Sequence, residues 1–136
     1  MIVADTSVLI KLIVPEPRSD LARRLRGEDI AAPALWIAEI ANVLWRKVQT
    51  KEISDSQASS LLRILMSGAI RTLAMEDMAQ SALAMAHALG HPVYDCFFLE
   101  AAIRENTYIV TDDARFAGAV RRHKKWNGNL RLLTEI

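Results

Sequence analysis

Five acidic side chains stand where carboxylate chemistry would need them: Asp5, Glu39, Asp95 and the pair Asp112-Asp113. Asp5 ends the apolar run Ile2-Val3-Ala4, and Asp112-Asp113 follow Tyr108-Ile109-Val110-Thr111. Asp95 opens the mostly apolar stretch Cys96–Ile103, whereas Glu39 lies among Trp36, Ile37, Ala38, Ile40 and Ala41. A carboxylate in apolar company is costly to ionise unless it is paired or coordinated. The one basic residue offered to Glu39 locally is Arg46, two turns away. Taken alone, Asp5 reads as an ordinary helix N-cap. Its repetition along the chain suggests more. Several carboxylates meeting at one point would repel each other and hold their protons until a divalent cation arrived. An all-oxygen site of that kind suits Mg2+ or Mn2+.

Other chemistries lack their parts. His87, His91 and His123 are not at zinc-ligand spacing and read as surface or packing residues. Cys96 is a single thiol beside two phenylalanines, a small core residue that makes no internal disulfide. The five glycines are scattered, so no phosphate-cradling loop is present. No nucleophile elbow exists for a serine hydrolase.

The elements that must carry these acids alternate between short apolar strands and helices. Strands are expected at Ile2–Ala4, Asp29–Ala32, Ile70–Ala74, Tyr108–Val110 and Leu130–Leu133. A helix-compatible stretch, Val8–Ile13, follows Asp5-Thr6-Ser7, and Val14-Pro15-Glu16-Pro17 interrupts it. Arg18–Arg26 reads as a short helix with a basic face, ending at Gly27. Leu35–Gln49 is apolar almost all round, which predicts that most of it is buried, with Glu39, Asn42 and Arg46 as one polar stripe. Ser54 and Gln57 match a capping box that opens a helix to about Ser67-Gly68. Further helices are expected over Glu76–Leu89, from Asp95 onward, and from Asp112-Asp113 to about Arg122. Alternation of this kind argues for an α/β fold with a parallel sheet covered on both faces, its acidic ends brought to one crevice.

Composition sets the outer bounds. The 136 residues are enough for one domain with a real core, and 51% of them are apolar. No apolar window approaches a membrane span, and the first residues do not resemble a signal peptide. The expectation is a cytoplasmic protein with no membrane partner. Net charge is only +1, so a positive exterior would arise only if the acids gather in one place.

The residues that carry chemistry also carry a family resemblance. Asp5-Thr6-Ser7 with Val8-Leu9-Ile10, Glu39-x-x-Asn42-Val43-Leu44 after Pro33, Tyr94-Asp95, and Val110-Thr111-Asp112-Asp113-x-x-Phe116 occur in order over nearly the whole chain. In this the chain resembles PIN-domain proteins, specifically VapC-type toxin ribonucleases of toxin–antitoxin pairs. The resemblance implies one PIN domain over residues 1–136, with a short central parallel sheet of four or five strands flanked by about seven helices. It implies a central acidic pocket with one or two Mg2+ or Mn2+ ions, and metal-dependent hydrolysis of RNA phosphodiester bonds. By position, Asp5, Glu39 and Asp95 correspond to the three main acids. The Thr-x-Asp spacing selects Asp113 as the fourth, with Asp112 the alternative, and whichever does not reach the metal would cap the helix. Thr6, Ser7 and Thr111 would support through hydroxyl hydrogen bonds, and Asn42 would orient Glu39.

The implied partners are single-stranded or loop RNA, tRNA among the candidates, a cognate VapB-type antitoxin, and a second copy of the chain. Arg18, Arg23, Arg24, Arg26 and Lys11 are candidates to line one side of the RNA path, and Arg121–Lys125 the other. Trp36 and Trp45 read as core or subunit-contact residues, with Leu35–Gln49 and Leu61–Met66 as greasy surface for dimerisation. The rival readings are a non-catalytic PIN-like binding module and another metal-dependent phosphohydrolase. Retention of costly charges at Asp5, Glu39, Asp95 and Asp113 argues against the first. Ser7, where a phosphatase of the Asp-x-Asp kind needs a second aspartate, argues against the second.

Overall fold

The computed structural model describes all residues 1–136. Five strands, β1 (Ile2–Ala4), β2 (Ile30–Pro33), β3 (Arg71–Leu73), β4 (Ile109–Thr111) and β5 (Leu130–Leu132), form one sheet. Their order is β3-β2-β1-β4-β5, and every neighbouring pair is parallel. The three central strands are buried throughout, while β3 and β5 at the edges are partly exposed. That is why β1, β2 and β4 read as continuous apolar runs rather than alternating ones.

Seven α-helices surround the sheet: α1 (Thr6–Leu9), α2 (Ser19–Ala22), α3 (Leu35–Gln49), α4 (Asp55–Met66), α5 (Ala79–Leu89), α6 (Val93–Arg104) and α7 (Ala114–His123). Short 3-10 turns extend several of them. The capping box opens α4 as expected: the Gln57 N–H donates to Ser54 Oγ at 3.1 Å, and the Ser54 N–H donates to Gln57 Oε1 at 2.8 Å. Helix α6 lies across β1 and β2 and packs on α5. Its Ala101 and Ala102, both fully buried, let its backbone come close, while Phe98 and Leu99 fill the core beside Trp36, Ile40 and Phe116.

Two local expectations are corrected. Helix α3 is amphipathic in practice: it buries only Trp36, Ile40, Leu44 and Lys47, one stripe at helical spacing, and leaves Trp45 57% exposed. Its outer apolar residues have no second layer to cover them. The basic segment is not one helix either. Arg18 adopts a left-handed backbone (φ 66°), α2 lasts one turn, and Arg23–Leu25 tightens to 3-10.

The topology decides where the acids meet. From β1 the chain moves to β2 on one side, whereas from β4 it moves to β5 on the other. Between β1 and β4 the two departing connections diverge, which opens a crevice at their carboxyl ends. Asp5 follows β1 directly, and Asp112-Asp113 follow β4 directly. With Val3 opposite Ile109 and Ala4 opposite Val110, the two strand ends lie side by side.

Candidate active site

Asp5 is the most constrained of the acids. It caps α1 in extended conformation, with Oδ1 accepting from the Val8 N–H at 3.3 Å and from Ser7 Oγ. Its Oδ2 accepts from Thr111 Oγ1 across the strand boundary. Both hydroxyls are relays: Ser7 Oγ accepts the Asp112 N–H at 2.9 Å, and Thr111 Oγ1 accepts the Asp113 N–H at 3.0 Å. A hydroxyl donates one proton and accepts through its lone pairs, so each clamps the end of β1 to the turn after β4. Asp5 is only 3% exposed. Burial raises its pKa from 3.8 to about 7 against the lowering effect of Ser7 and Thr111, and repulsion from Asp95 raises it further.

Glu39, on the first turns of α3, receives a hydrogen bond from Thr6 Oγ1 at 2.8 Å. Burial, with added repulsion from Asp95, raises its pKa despite that bond. The expectation for Asn42 is corrected here. Asn42 is exposed, and the hydroxyl that orients Glu39 belongs to Thr6. Asp95, third residue of α6, accepts from His91 Nε2 through Oδ2 at 2.6 Å. Its pKa is raised by burial and by repulsion from Asp113, and lowered by His91. Asp95 is therefore the hub, in electrostatic contact with Asp5, Glu39 and Asp113.

The neighbouring aspartates after β4 divide their tasks differently from the sequence reading. Asp113 caps α7, its Oδ1 accepting from the Arg115 and Phe116 N–H groups at 2.9 and 3.0 Å. It also faces Asp95, so the residue that caps the helix is the one turned toward the other acids. Asp112 takes no part in the cap. Its two oxygens accept from Arg18 Nε and Nη2 at 2.7 and 2.8 Å, and Lys11 Nζ stands 3.4 Å away. Burial acts to raise its pKa, but Arg18 and Lys11 outweigh burial and hold it low.

Lys11 was a candidate for the RNA path, and the structure removes it from that role. It is 8% exposed, lying between Asp112 and Glu16, and Glu16 in turn binds Lys47 on α3 at 2.7 Å. This chain of charges ties the segment before α2 to the rim of the site. Glu16→Ala would leave two largely buried ammonium groups short of a partner. We expect a loss of about 3 kcal/mol, between the surface and fully buried cases, read as a lower urea midpoint. A midpoint unchanged from wild type would show the chain to be incidental.

Three residues at the site and its rim were not anticipated from sequence. His91 read as a surface or packing residue because the three histidines are not at zinc-ligand spacing. The four-residue spacing to Asp95 was the available signal. Glu16 and Lys47, 31 positions apart, had no local signal at all.

The arrangement fits a hard divalent cation in its chemistry. The facing groups are all carboxylates, and Glu39, Asp95 and Asp113 each keep one oxygen without a hydrogen-bond partner. No lysine or arginine stands within 4.0 Å of Asp5, Glu39, Asp95 or Asp113. No three acidic, histidine or cysteine side chains stand together as a ready-made metal cage. The five main cavities are lined by other residues.

With this geometry in view, comparison with known proteins decides the lineage. The family model described as PIN domain matches residues 2–121. This chain belongs to the PIN-domain family. Among curated PIN relatives, Ribonuclease VapC3 of Pyrobaculum aerophilum is 28% identical over 120 residues, covering 85% of this chain and 92% of that protein. Ribonuclease VapC12 of Mycobacterium tuberculosis is 29% identical over 118 residues, covering 86% and 90%. A crystal structure of a Pyrobaculum aerophilum protein superposes with a TM-score of 0.74 at 21% identity, over 98% of this chain and 89% of that one. A toxin–antitoxin complex from Klebsiella pneumoniae superposes at 0.69 and 16% identity, over the full length of both chains. These two likenesses bear on the fold, a five-stranded parallel PIN sheet with seven helices.

Proposed function

We propose that this PIN-domain chain is a divalent-cation-dependent endoribonuclease, the toxin of a VapC-type toxin–antitoxin pair. The observation that carries this is the electrostatic contact among Asp5, Glu39, Asp95 and Asp113, from four separate parts of the chain, with no lysine or arginine beside them. The names of the curated relatives support the ribonuclease reading.

Asp5, Glu39, Asp95 and Asp113 would hold Mg2+ or Mn2+. The chemistry supplied at such a site is acidification of a water for attack on phosphorus and relief of charge on the leaving oxygen. Asp5 is held by Ser7, Thr111 and the Val8 N–H, so it offers the least mobile carboxylate. Thr6 fixes one Glu39 oxygen and the α7 N–H groups fix one Asp113 oxygen, leaving the second of each free to face cation or water. Asp112, neutralised by Arg18, lies outside the set and serves as a rim anchor. Hydrolysis by water yields a 5′-phosphate and a 3′-hydroxyl. Exposed Arg23, Arg24, Arg26, Arg115, Arg122, Lys124 and Lys125 remain to hold the backbone of an unpaired RNA.

A cognate antitoxin is the inhibitory partner in this reading, supported by the Klebsiella pneumoniae relative having been solved as a toxin–antitoxin complex. Homodimerisation is supported by the exposed Trp45, Ile64 and Met66 on α3 and α4. A cytoplasmic location accords with the absence of any helix long and apolar enough to cross a membrane.

The test is purified protein incubated with total RNA in Mg2+ and in chelator. Discrete new 5′-phosphorylated ends in Mg2+ alone are the expected result. Cutting that persists in chelator would reject the mechanism. In cells, the wild type is expected to arrest growth, and Glu39→Gln to relieve that arrest.

A further inference from the structure

His91 lies in the short link between α5 and α6, outside the acidic set. Gly90 turns the chain there in left-handed conformation (φ 60°), and the His91 N–H bonds back to the Ala86 carbonyl at 3.2 Å. The imidazole is only 7% exposed. One edge of it meets Asp95, with Nε2 2.6 Å from Oδ2. Its face lies against the Phe116 ring, centroids 4.9 Å apart at 34°. Phe116 is fully buried, and its N–H is one of the two that Asp113 caps. One side chain thus touches Asp95 directly and Asp113 through a single intervening residue. Those two carboxylates repel each other and sit on different helices.

We propose that His91 is a positioning residue for the acidic site, fixing the Asp95 rotamer and the separation of Asp95 from Asp113. The inference rests on the reading of these carboxylates as a divalent-cation site. A carboxylate only accepts, so Nε2 carries the proton of this bond, and Oδ1 of Asp95 is left without a partner. The contrast with Asp112 explains why a histidine stands here. Arg18 and Lys11 hold Asp112 firmly but neutralise it. An imidazole holds its carboxylate through one directed hydrogen bond without needing a full charge. Residues that orient metal-binding groups in this way commonly contribute about 10- to 100-fold in metal affinity.

The experiment is calorimetric titration of the RNA-free protein with Mn2+, beside urea unfolding, for wild type, His91→Phe and His91→Gln. Phenylalanine keeps a ring on Phe116 but offers Asp95 no donor. Glutamine restores an N–H near the position of Nε2 without the ring. The expected result is Mn2+ affinity weakened about tenfold or more in His91→Phe, with a near wild-type urea midpoint, and recovery of most of the affinity in His91→Gln. Equal Mn2+ affinity in His91→Phe and wild type overturns the role of His91 and leaves the cation site standing. Affinity that follows the urea midpoint across the variants, rather than the presence of a donor, also overturns it. No Mn2+ uptake by wild type removes the cation-site reading itself, and this inference with it.

Discussion

Asp95→Asn is expected to lower RNA cleavage by about a thousandfold or more at saturating Mg2+, while leaving the protein folded. A bound cation that stabilises charge on a phosphoryl group supplies several kcal/mol, and each 1.36 kcal/mol is a factor of ten in rate. Asp95 is the residue to remove because it is in electrostatic contact with each of the other three acids. Asparagine keeps the shape and can still accept from His91 Nε2 through its carbonyl, so packing on Phe116 survives. Loss of charge is then separated from loss of structure. The measurement is single-turnover cleavage of an end-labelled RNA, with urea unfolding beside it. Cleavage within tenfold of wild type would place the chemistry elsewhere.

The second large effect has the opposite sign on stability. Asp5→Asn is expected to inactivate the protein and yet raise its melting temperature in metal-free buffer at pH 8. The folded-state pKa of Asp5, about 7, lies above the ordinary 3.8 because the carboxyl is buried. Between those values the folded chain keeps a proton that the unfolded chain has released, so stability falls as pH rises through the window. The full cost is present above pH 7. At about 1.4 kcal/mol per pKa unit it amounts to at most about 4 kcal/mol. Glu39 and Asp95, also raised, act in the same direction. Asp112 and Glu16 have lowered values, so their contribution is lost only as pH falls below the ordinary carboxylate range. Asparagine carries no charge at any of these pH values, and the Thr111 hydroxyl can turn to accept from its amide. The difference in melting temperature between variant and wild type should therefore widen from pH 5 to pH 8. Added Mg2+ should close it by stabilising wild type alone. A variant less stable than metal-free wild type at pH 8 would show that Asp5 carries no uncompensated charge.

The site and the fold were unequally legible. Asp5 could be placed from sequence because Ile2-Val3-Ala4 is an apolar run cut off by a carboxylate, and a buried parallel strand leaves that trace. The Ser54 box was legible for a similar reason: both partners lie within one turn. What escaped depends on partners far apart along the chain. Arg18 bonds to Asp112 across 94 positions, and no local pattern announces which guanidinium will arrive; the Thr111 hydroxyl that reaches Asp5 across 106 positions was expected only from the family resemblance. Asn42 looked like the partner of Glu39 because it sits on the same polar stripe. Thr6, delivered by α1, reaches it first. Helix α3 misled in the other direction. Periodicity says which residues are apolar, but the number of layers packed on a helix decides how many are buried. Only one side of α3 is covered.

The most direct measurement is a crystal structure of the protein grown with Mn2+, read by the anomalous signal of the metal. A peak within bonding distance of Asp5 and Asp95 oxygens, with Glu39 or Asp113 reaching it directly or through water, is the predicted result. Full-occupancy Mn2+ bound elsewhere, with these carboxylates still holding only their protein partners, would contradict the account.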